Sequence, residues 1–206
     1  GMESYGLLGL FALLQAWLAL LDMGMSPTLN REAARFEAGH HSGQSIGDLL
    51  RSMELLAVGL AFVIFAGITL SASALTQHWL RAEVLPHDVV AQAIRVGGFI
   101  VAMRFIEAVY RGAIYGLQRQ VWFNAVNAAL ATVRSLGAIA VLDWVEPTIG
   151  AFLWWQAMLA AVPVALYAWK VHAVLPKPPR PPRFSTESLA QVGRFAGGMM
   201  LTTLTV

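Results

Sequence analysis

Long apolar runs alternate with short polar connections along the chain. A membrane core about 30 Å thick needs roughly 20 apolar residues of helix, and five of the runs reach that length. They predict membrane spans at residues 5–25, 53–76, 89–110, 121–142 and 147–169. A sixth apolar stretch, at residues 195–206, is too short to cross. Because the runs are continuous and lack the alternation of barrel strands, they predict an all-α, polytopic transmembrane helix bundle.

The composition supports a membrane protein, because 57% of the 206 residues are hydrophobic and only 13% are charged. A soluble domain carries about 45–50% apolar and about 25% charged residues, and a disordered chain is poor in apolar residues. A soluble enzyme and a disordered protein are therefore both excluded. The absence of cysteine also excludes a disulfide framework, a cysteine zinc site and a thiol nucleophile.

The placement of lysine and arginine predicts how the spans are oriented. The connections after the first, third and fifth spans hold ten of the 14 basic residues, whereas those after the second and fourth spans hold one, Arg81. The ten are Arg31, Arg35, Arg51, Arg111, Arg119, Lys170, Lys177, Arg180, Arg183 and Arg194. Because basic residues accumulate in cytoplasmic loops, this asymmetry places the ten in the cytoplasm and residue 1 on the outer side.

The region after the five-span bundle of residues 1–175 is predicted to be a basic, proline-rich cytoplasmic linker at 176–194. Its core, KPPRPPR, favours an extended polyproline stretch that cannot enter lipid, and an amphipathic helix is predicted after it. Two interpretations stay open: a plain solvated linker, or a joint between two helical bundles. Since the chain starts outside with Gly1 before Met2 and stops within a truncated sixth span at 195–206, we expect a fragment, or an incomplete gene model, of a longer polytopic protein.

Motifs for catalysis or cofactor binding are missing from the sequence. No GxxxxGK phosphate loop and no HExxH zinc motif occurs, and no paired carboxylates point to hydrolysis. His40 and His41 lie in the polar stretch EAGHHSGQS without a nearby acidic or thiol partner, which favours solvated loop positions over metal ligation. We therefore expect no catalytic residue, no metal, no cofactor and no enzymatic activity.

Charged residues within the predicted spans are the strongest functional signal. An arginine at a helix centre costs roughly 2.5–3.5 kcal/mol on insertion scales, so it normally faces a bundle interior or a water-filled cavity. In the third span, Arg104, Glu107 and Arg111 share an arc of about 60° of the helix surface. Glu107 and Arg111 have the favourable i,i+4 order, so an ion pair that merely lets the helix insert is an open alternative. Arg95 lies on the opposite face and is expected to reach the membrane interface.

Arg134 is the most informative single position, since no acidic residue of the fourth span can neutralise it. Its partner must come from another helix, from water or from a ligand. Asn127 lies on the same stripe of that helix, and Asp22 in the first span is a candidate counter-ion. Pro163 is expected to kink the fifth span, as a gated path requires. An excess of arginine over acid favours an anionic substrate, because the forked guanidinium matches phosphate oxygens and stays charged.

Two stretches resemble the polysaccharide flippases of the O-antigen (Wzx) type, within the multidrug/oligosaccharidyl-lipid/polysaccharide exporter superfamily. The family typically shows an acidic residue before Tyr-Gly, then an Asp-x-Gly step and an Arg. Here these positions are Glu3 with Tyr5 and Gly6, Asp22 with Gly24, and Arg31. In the second stretch, Gly-Leu-Gln at 116–118 is followed by an asparagine-bearing helix. The resemblance covers nearly the whole chain.

The resemblance implies a transporter of twelve to fourteen helices in two lobes that works by alternating access. This chain would hold helices two to six of the amino-terminal lobe, the linker and the start of helix seven. The implied activity is the flipping of oligosaccharides linked to polyprenyl pyrophosphate across the cell (inner) membrane for polysaccharide biosynthesis. Its implied partners are the lipid-linked oligosaccharide, the bilayer, glycosyltransferases and a polysaccharide polymerase. No nucleic-acid partner is expected.

The resemblance also implies roles for the charged residues. The expected ligands of the pyrophosphate head group are Arg134, Arg104, Arg31 and Asn127, with Arg31 near the cytoplasmic entrance. The expected charge-pairing residues are Asp22, Glu107 and Arg111. Of these, the two carboxylates would neutralise the arginines when no substrate is bound.

Three alternatives stay open on the sequence. A drug or cation antiporter of the same superfamily is disfavoured by the shortage of carboxylates within the spans. An integral-membrane glycan-assembly enzyme, such as a glycosyltransferase or polymerase, is disfavoured by the short outer connections. A membrane scaffold without transport activity is also compatible with the sequence.

Overall fold

The computed structural model describes residues 9, 24–78, 87–176 and 179–185. Within them the chain forms no strand and five helices: α1 (Met25–Glu37), α2 (Gly43–His78), α3 (His87–Gly116), α4 (Gln120–Trp144) and α5 (Ile149–Val174). Helices α2 to α5 are long and apolar enough to cross a membrane, and the prediction of an all-α helix bundle is confirmed. Apart from residues 9, 24 and 25, the first predicted span lies outside the described residues, as does the stretch 195–206.

Helix α2 begins at Gly43, well before the span predicted at 53–76. Its first turns are polar, but three leucine and isoleucine side chains between residues 46 and 50 recur at helical spacing and are buried. The hydroxyl oxygen of Ser42 accepts a hydrogen bond from the backbone N–H of Ser45 at 3.2 Å, which caps this start. The prediction missed these turns because it followed apolar length, whereas an amphipathic extension buries one stripe only.

Helix α3 is the centre of the bundle and packs against α1, α2 and α5. Its buried positions lie all around the helix, as expected for a helix surrounded by others. Many of them are alanine or glycine, which lets neighbouring helices approach closely. Gly98, for example, leaves room for the side chain of Ile68 on α2. Helix α4 packs mainly against α5 and leaves most of its surface exposed.

The short helix α1 lies along the carboxyl-terminal half of α3 and runs in the same direction. Gly112 of α3 lies against Ser26 of α1, and Gly116 lies against Asn30. The hydroxyl of Ser26 donates a hydrogen bond to the backbone carbonyl of Ala108 at 2.9 Å. The two glycines have the four-residue spacing that permits close helix packing, and a Cβ on either would strike the backbone of α1. The position of α1 therefore depends on them.

The proline-rich segment after α5 lies along the start of α2. Three of its backbone N–H groups donate hydrogen bonds to side chains of α2: Arg180 to Gln44 at 3.4 Å, Arg183 to Asp48 at 2.8 Å and Ser185 to Ser52 at 2.9 Å. The three acceptors are four residues apart and so lie on one stripe of the helix. The segment is thus held against the bundle, although most of its side chains are exposed. The amphipathic helix predicted after it lies outside the described residues.

Candidate functional site

An ion pair joins two charged residues near the middle of α3. Arg104 donates from Nη1 to Oε2 of Glu107 at 2.8 Å, and Glu107 is buried whereas 32% of the Arg104 side chain is exposed. The i,i+4 pair between Glu107 and Arg111 is not formed. Arg111 is exposed near the end of α3, and no carboxylate among the described residues lies within ion-pair distance of it. Glu107 pairs with Arg104, which lies nearer the middle of the helix, because a buried charge needs a partner. Arg111 lies near the end of α3 and can be solvated.

Arg134 lies near the middle of α4 and is half-buried. Its backbone carbonyl accepts a hydrogen bond from the indole N–H of Trp155 at 3.1 Å, which ties α4 to α5. Gly137, three residues later, leaves room for the same indole ring. In the described part of the chain, no carboxylate lies within ion-pair distance of the Arg134 guanidinium.

Arg104, Glu107 and Arg134 form an arginine cluster with an excess of positive charge. Arg134 interacts electrostatically with both other members, although only Arg104 and Glu107 are in contact. Two guanidinium groups against one carboxylate leave one net positive charge near the middle of two spans. Because a charge at that depth normally faces a cavity or an opposite charge, the arginine cluster is the candidate binding site.

Tyr167 on α5 lies beside the arginine cluster and was not anticipated from the sequence. Its side chain is fully buried, and its ring packs against those of Phe123 and Trp122 at centroid distances of 5.2 and 6.0 Å. Within the described residues its hydroxyl has no hydrogen-bond partner, and it interacts electrostatically with all three members of the cluster. A tyrosine inside an otherwise uncharged span is the signal that could have identified it, since a buried hydroxyl needs a partner.

The other predicted ligands are placed differently. Arg31 lies on α1, where its guanidinium donates to Oε1 of Glu32 at 2.6 and 2.8 Å. Asn127 is exposed on α4. Asp22 lies outside the described residues, so its pairing with the arginines stays a prediction. Arg95 is exposed on α3, on the opposite side of the helix from Arg104 by residue spacing.

The expectation for His41 is wrong, because this histidine has an acidic partner. Its Nε2 lies 2.6 Å from Oε2 of Glu32, and only 19% of its side chain is exposed. Glu32 is itself buried and also contacts Arg31 and Arg35. The partner was missed because it lies nine residues earlier and is brought close only where the chain turns after α1. His40 is exposed.

A second buried carboxylate, Glu54 on α2, was also missed from the sequence. Its Oε1 accepts a hydrogen bond from the Tyr110 hydroxyl at 3.0 Å and lies 3.3 Å from Nε2 of His172, and its Oε2 lies 3.5 Å from Nη1 of Arg51. These four residues, the Glu54 cluster, join α2, α3 and α5. They lie at the end of the bundle that holds the proline-rich segment, and three of them line a cavity of about 370 Å³.

In comparisons with known proteins, no family model, no curated protein and no solved structure matches this chain. The class of protein therefore follows from the chain itself. Its four helices of spanning length and composition make it a multi-pass α-helical membrane protein. Within that class, its distinguishing feature is an arginine cluster with excess positive charge inside the helices.

Proposed function

We propose that this protein is a membrane transporter that flips oligosaccharides linked to polyprenyl pyrophosphate across the cell membrane for polysaccharide biosynthesis. The observation that carries the proposal is the arginine cluster, in which Arg134 has no carboxylate within ion-pair distance among the described residues. A pyrophosphate head group is an anion whose oxygens match the forked donors of guanidinium. It would supply the negative charge that the described helices do not.

The charge balance of the arginine cluster favours an anionic ligand over a cationic one. Each arginine at the centre of a span costs roughly 2.5–3.5 kcal/mol, and Glu107 offsets the charge of one arginine only. A bound anion would offset the other, and the buried hydroxyl of Tyr167 could donate a further hydrogen bond to it. The same net charge would repel an organic cation, which disfavours the antiporter alternative.

The lipid-linked glycan and the transport cycle are supported by the resemblance of the sequence to the polysaccharide flippases rather than by the charges. That resemblance implies alternating access, in which two lobes rock against each other. Two structural features agree with such a movement. Pro163 lies inside α5, where a proline removes a backbone hydrogen bond and provides a bending point, and α4 is held mainly by α5.

Glycan export in cells tests the role of Arg134. In cells whose polysaccharide export depends on this protein, we expect Arg134→Ala to abolish export. Arg134→Lys should retain part of it, because lysine keeps the charge but loses the forked donors. Arg95→Ala is the matched control, since it also removes an arginine from a span, but from an exposed position of α3. With equal amounts of each variant in the membrane, full export by Arg134→Ala would overturn this role.

A further inference from the structure

Both ring nitrogens of His172 face hydrogen-bond acceptors. Its Nδ1 lies 2.8 Å from the backbone carbonyl oxygen of Ala168, which can only accept, so Nδ1 must be the donor. Its Nε2 lies 3.3 Å from Oε1 of Glu54, and an ionised carboxylate also only accepts. A neutral imidazole carries one N–H, which the first contact already uses.

Only two protonation states therefore avoid repulsion between Nε2 and Oε1. Either His172 is a doubly protonated imidazolium that forms an ion pair with an ionised Glu54, or a neutral His172 lies beside a protonated Glu54. In both states the pair holds one proton more than a neutral histidine and an ionised carboxylate together. Without that proton, the lone pair of Nε2 would face the negative Oε1, and the contact would become repulsive.

The neighbours of the pair come from three sides. Helix α2 contributes Arg51 at 3.5 Å from Glu54, with Asp48 nearer the start of the helix, and α3 contributes the Tyr110 hydroxyl. The proline-rich segment contributes Arg180 and Arg183, whose backbone N–H groups bond to Gln44 and Asp48 nearer the start of α2. Among the described residues, α1 and α4 place no charged group within ion-pair distance of the pair.

Glu54 and His172 differ in their access to water. Only 9% of the Glu54 side chain is exposed, whereas 56% of the His172 side chain is exposed. A proton can therefore reach the buried carboxylate by way of the exposed ring. The pair also bridges two helices, because Glu54 lies on α2 and His172 near the end of α5.

We propose that Glu54 and His172 form a proton-binding site that fastens α2 to α5 and closes the cavity between them. The bound proton makes the contact between the two helices attractive. The cavity is lined by Leu50 of α2, by Leu175 after α5 and by Pro182 of the proline-rich segment, so it lies where these parts meet. Release of the proton loosens α2 from α5 and opens the cavity. The site is independent of which substrate the protein transports.

The distance between α2 and α5 at two pH values tests this site. Because the chain has no native cysteine, Ser45→Cys and Ala173→Cys, both at exposed positions, place one spin label on each helix. The protein is measured in lipid nanodiscs at about pH 5.5 and about pH 8.5, which bracket most of the range in which histidine side chains change charge. We expect a single short distance at the lower pH and an additional, longer distance at the higher pH.

Three variants separate the proton site from a general effect of pH. In Glu54→Gln, the amide NH₂ donates to Nε2 of a neutral His172 without an added proton, so the short distance should persist at both pH values. His172→Ala removes the contact and should show the longer distance at both. Glu32→Gln is the matched control, because it alters the other described carboxylate that contacts a histidine, and it should respond as the parent does. A Glu54→Gln variant that keeps the parent's response, or a parent that does not respond to pH, would overturn the proposal.

Discussion

Glu32 shows how a buried carboxylate is kept ionised at the end of α1. Its oxygens lie 2.6 Å from Arg31, 3.2 Å from Arg35 and 2.6 Å from His41. Burial raises the pKa of Glu32, but the hydrogen bonds from Arg31 and His41 and the charges of the two arginines together outweigh burial. The pKa of this carboxyl therefore falls below its ordinary value.

The lowered pKa of Glu32 predicts a loss of stability in acid. A carboxyl group of this kind stabilises the fold above its unfolded pKa, about 4.3, and the stabilisation is lost as the pH falls through the folded pKa. Glu32→Gln should be less stable than the parent near neutral pH by about 1.5–3 kcal/mol, the value of hydrogen bonds to a charged group. This difference in stability between Glu32→Gln and the parent should become smaller below about pH 4. Thermal unfolding of both proteins in nanodiscs, at neutral pH and below about pH 4, measures this difference. A difference of equal size at the two pH values would contradict the prediction.

At the residue scale, sequence reasoning identified the charged members of the arginine cluster because a charge inside an apolar run is rare. It did not identify which arginine pairs with Glu107, since Arg104 and Arg111 lie on the same stripe of the helix as Glu107. The choice between the two arginines depends on burial in the bundle. Tyr167 carried only the weaker signal of a hydroxyl inside an apolar span, and His172 carried none. Their roles arise from contacts between helices, which the order of residues along one helix does not reveal.

Helix α1 packs closely on α3, backbone against backbone. A Cβ at Gly116 would strike the backbone carbonyl oxygen of Asn30 and the Cβ of Ala33, and neither is the end of a flexible side chain. We expect Gly116→Ala to push α1 away from α3 and to lower stability by about 1–3 kcal/mol, the usual cost of overpacking. Thermal unfolding measures the loss.

Gly59→Ala on α2 is the matched control for this prediction. Nothing lies within 4 Å of a Cβ at that position, and alanine is the better helix former by about 1 kcal/mol. This variant should be as stable as the parent or more stable. A Gly116→Ala variant with the melting temperature of the parent would contradict the close packing of α1 on α3.

At the element scale, apolar length was sufficient to predict the spans of α2 to α5, because a span needs about 20 apolar residues in succession. The same criterion could not find α1, a 13-residue helix that buries one stripe and is polar elsewhere. It also could not find the docking of the proline-rich segment, which depends on backbone hydrogen bonds to three polar side chains of α2.

At the scale of the whole molecule, two polar clusters lie at different depths of the bundle. The Glu54 cluster lies near the start of α2 and the end of α5, at the end that the basic connections predict to be cytoplasmic. The arginine cluster lies near the middle of α3 and α4. The opening proposed at the Glu54 cluster and the anion binding proposed at the arginine cluster therefore involve different residues, and we expect substitutions to affect one without the other.

Flipping of a fluorescent polyprenyl-pyrophosphate oligosaccharide in liposomes tests the transport proposal most directly. Protein-dependent flipping is expected, and Arg134→Ala should reduce its rate by roughly tenfold or more, the effect of losing a charged hydrogen bond of about 1.5–3 kcal/mol. Arg95→Ala should flip the lipid at the parent's rate. Absence of flipping, together with proton- or sodium-coupled efflux of organic cations from the same liposomes, would contradict the central claim and favour the antiporter alternative.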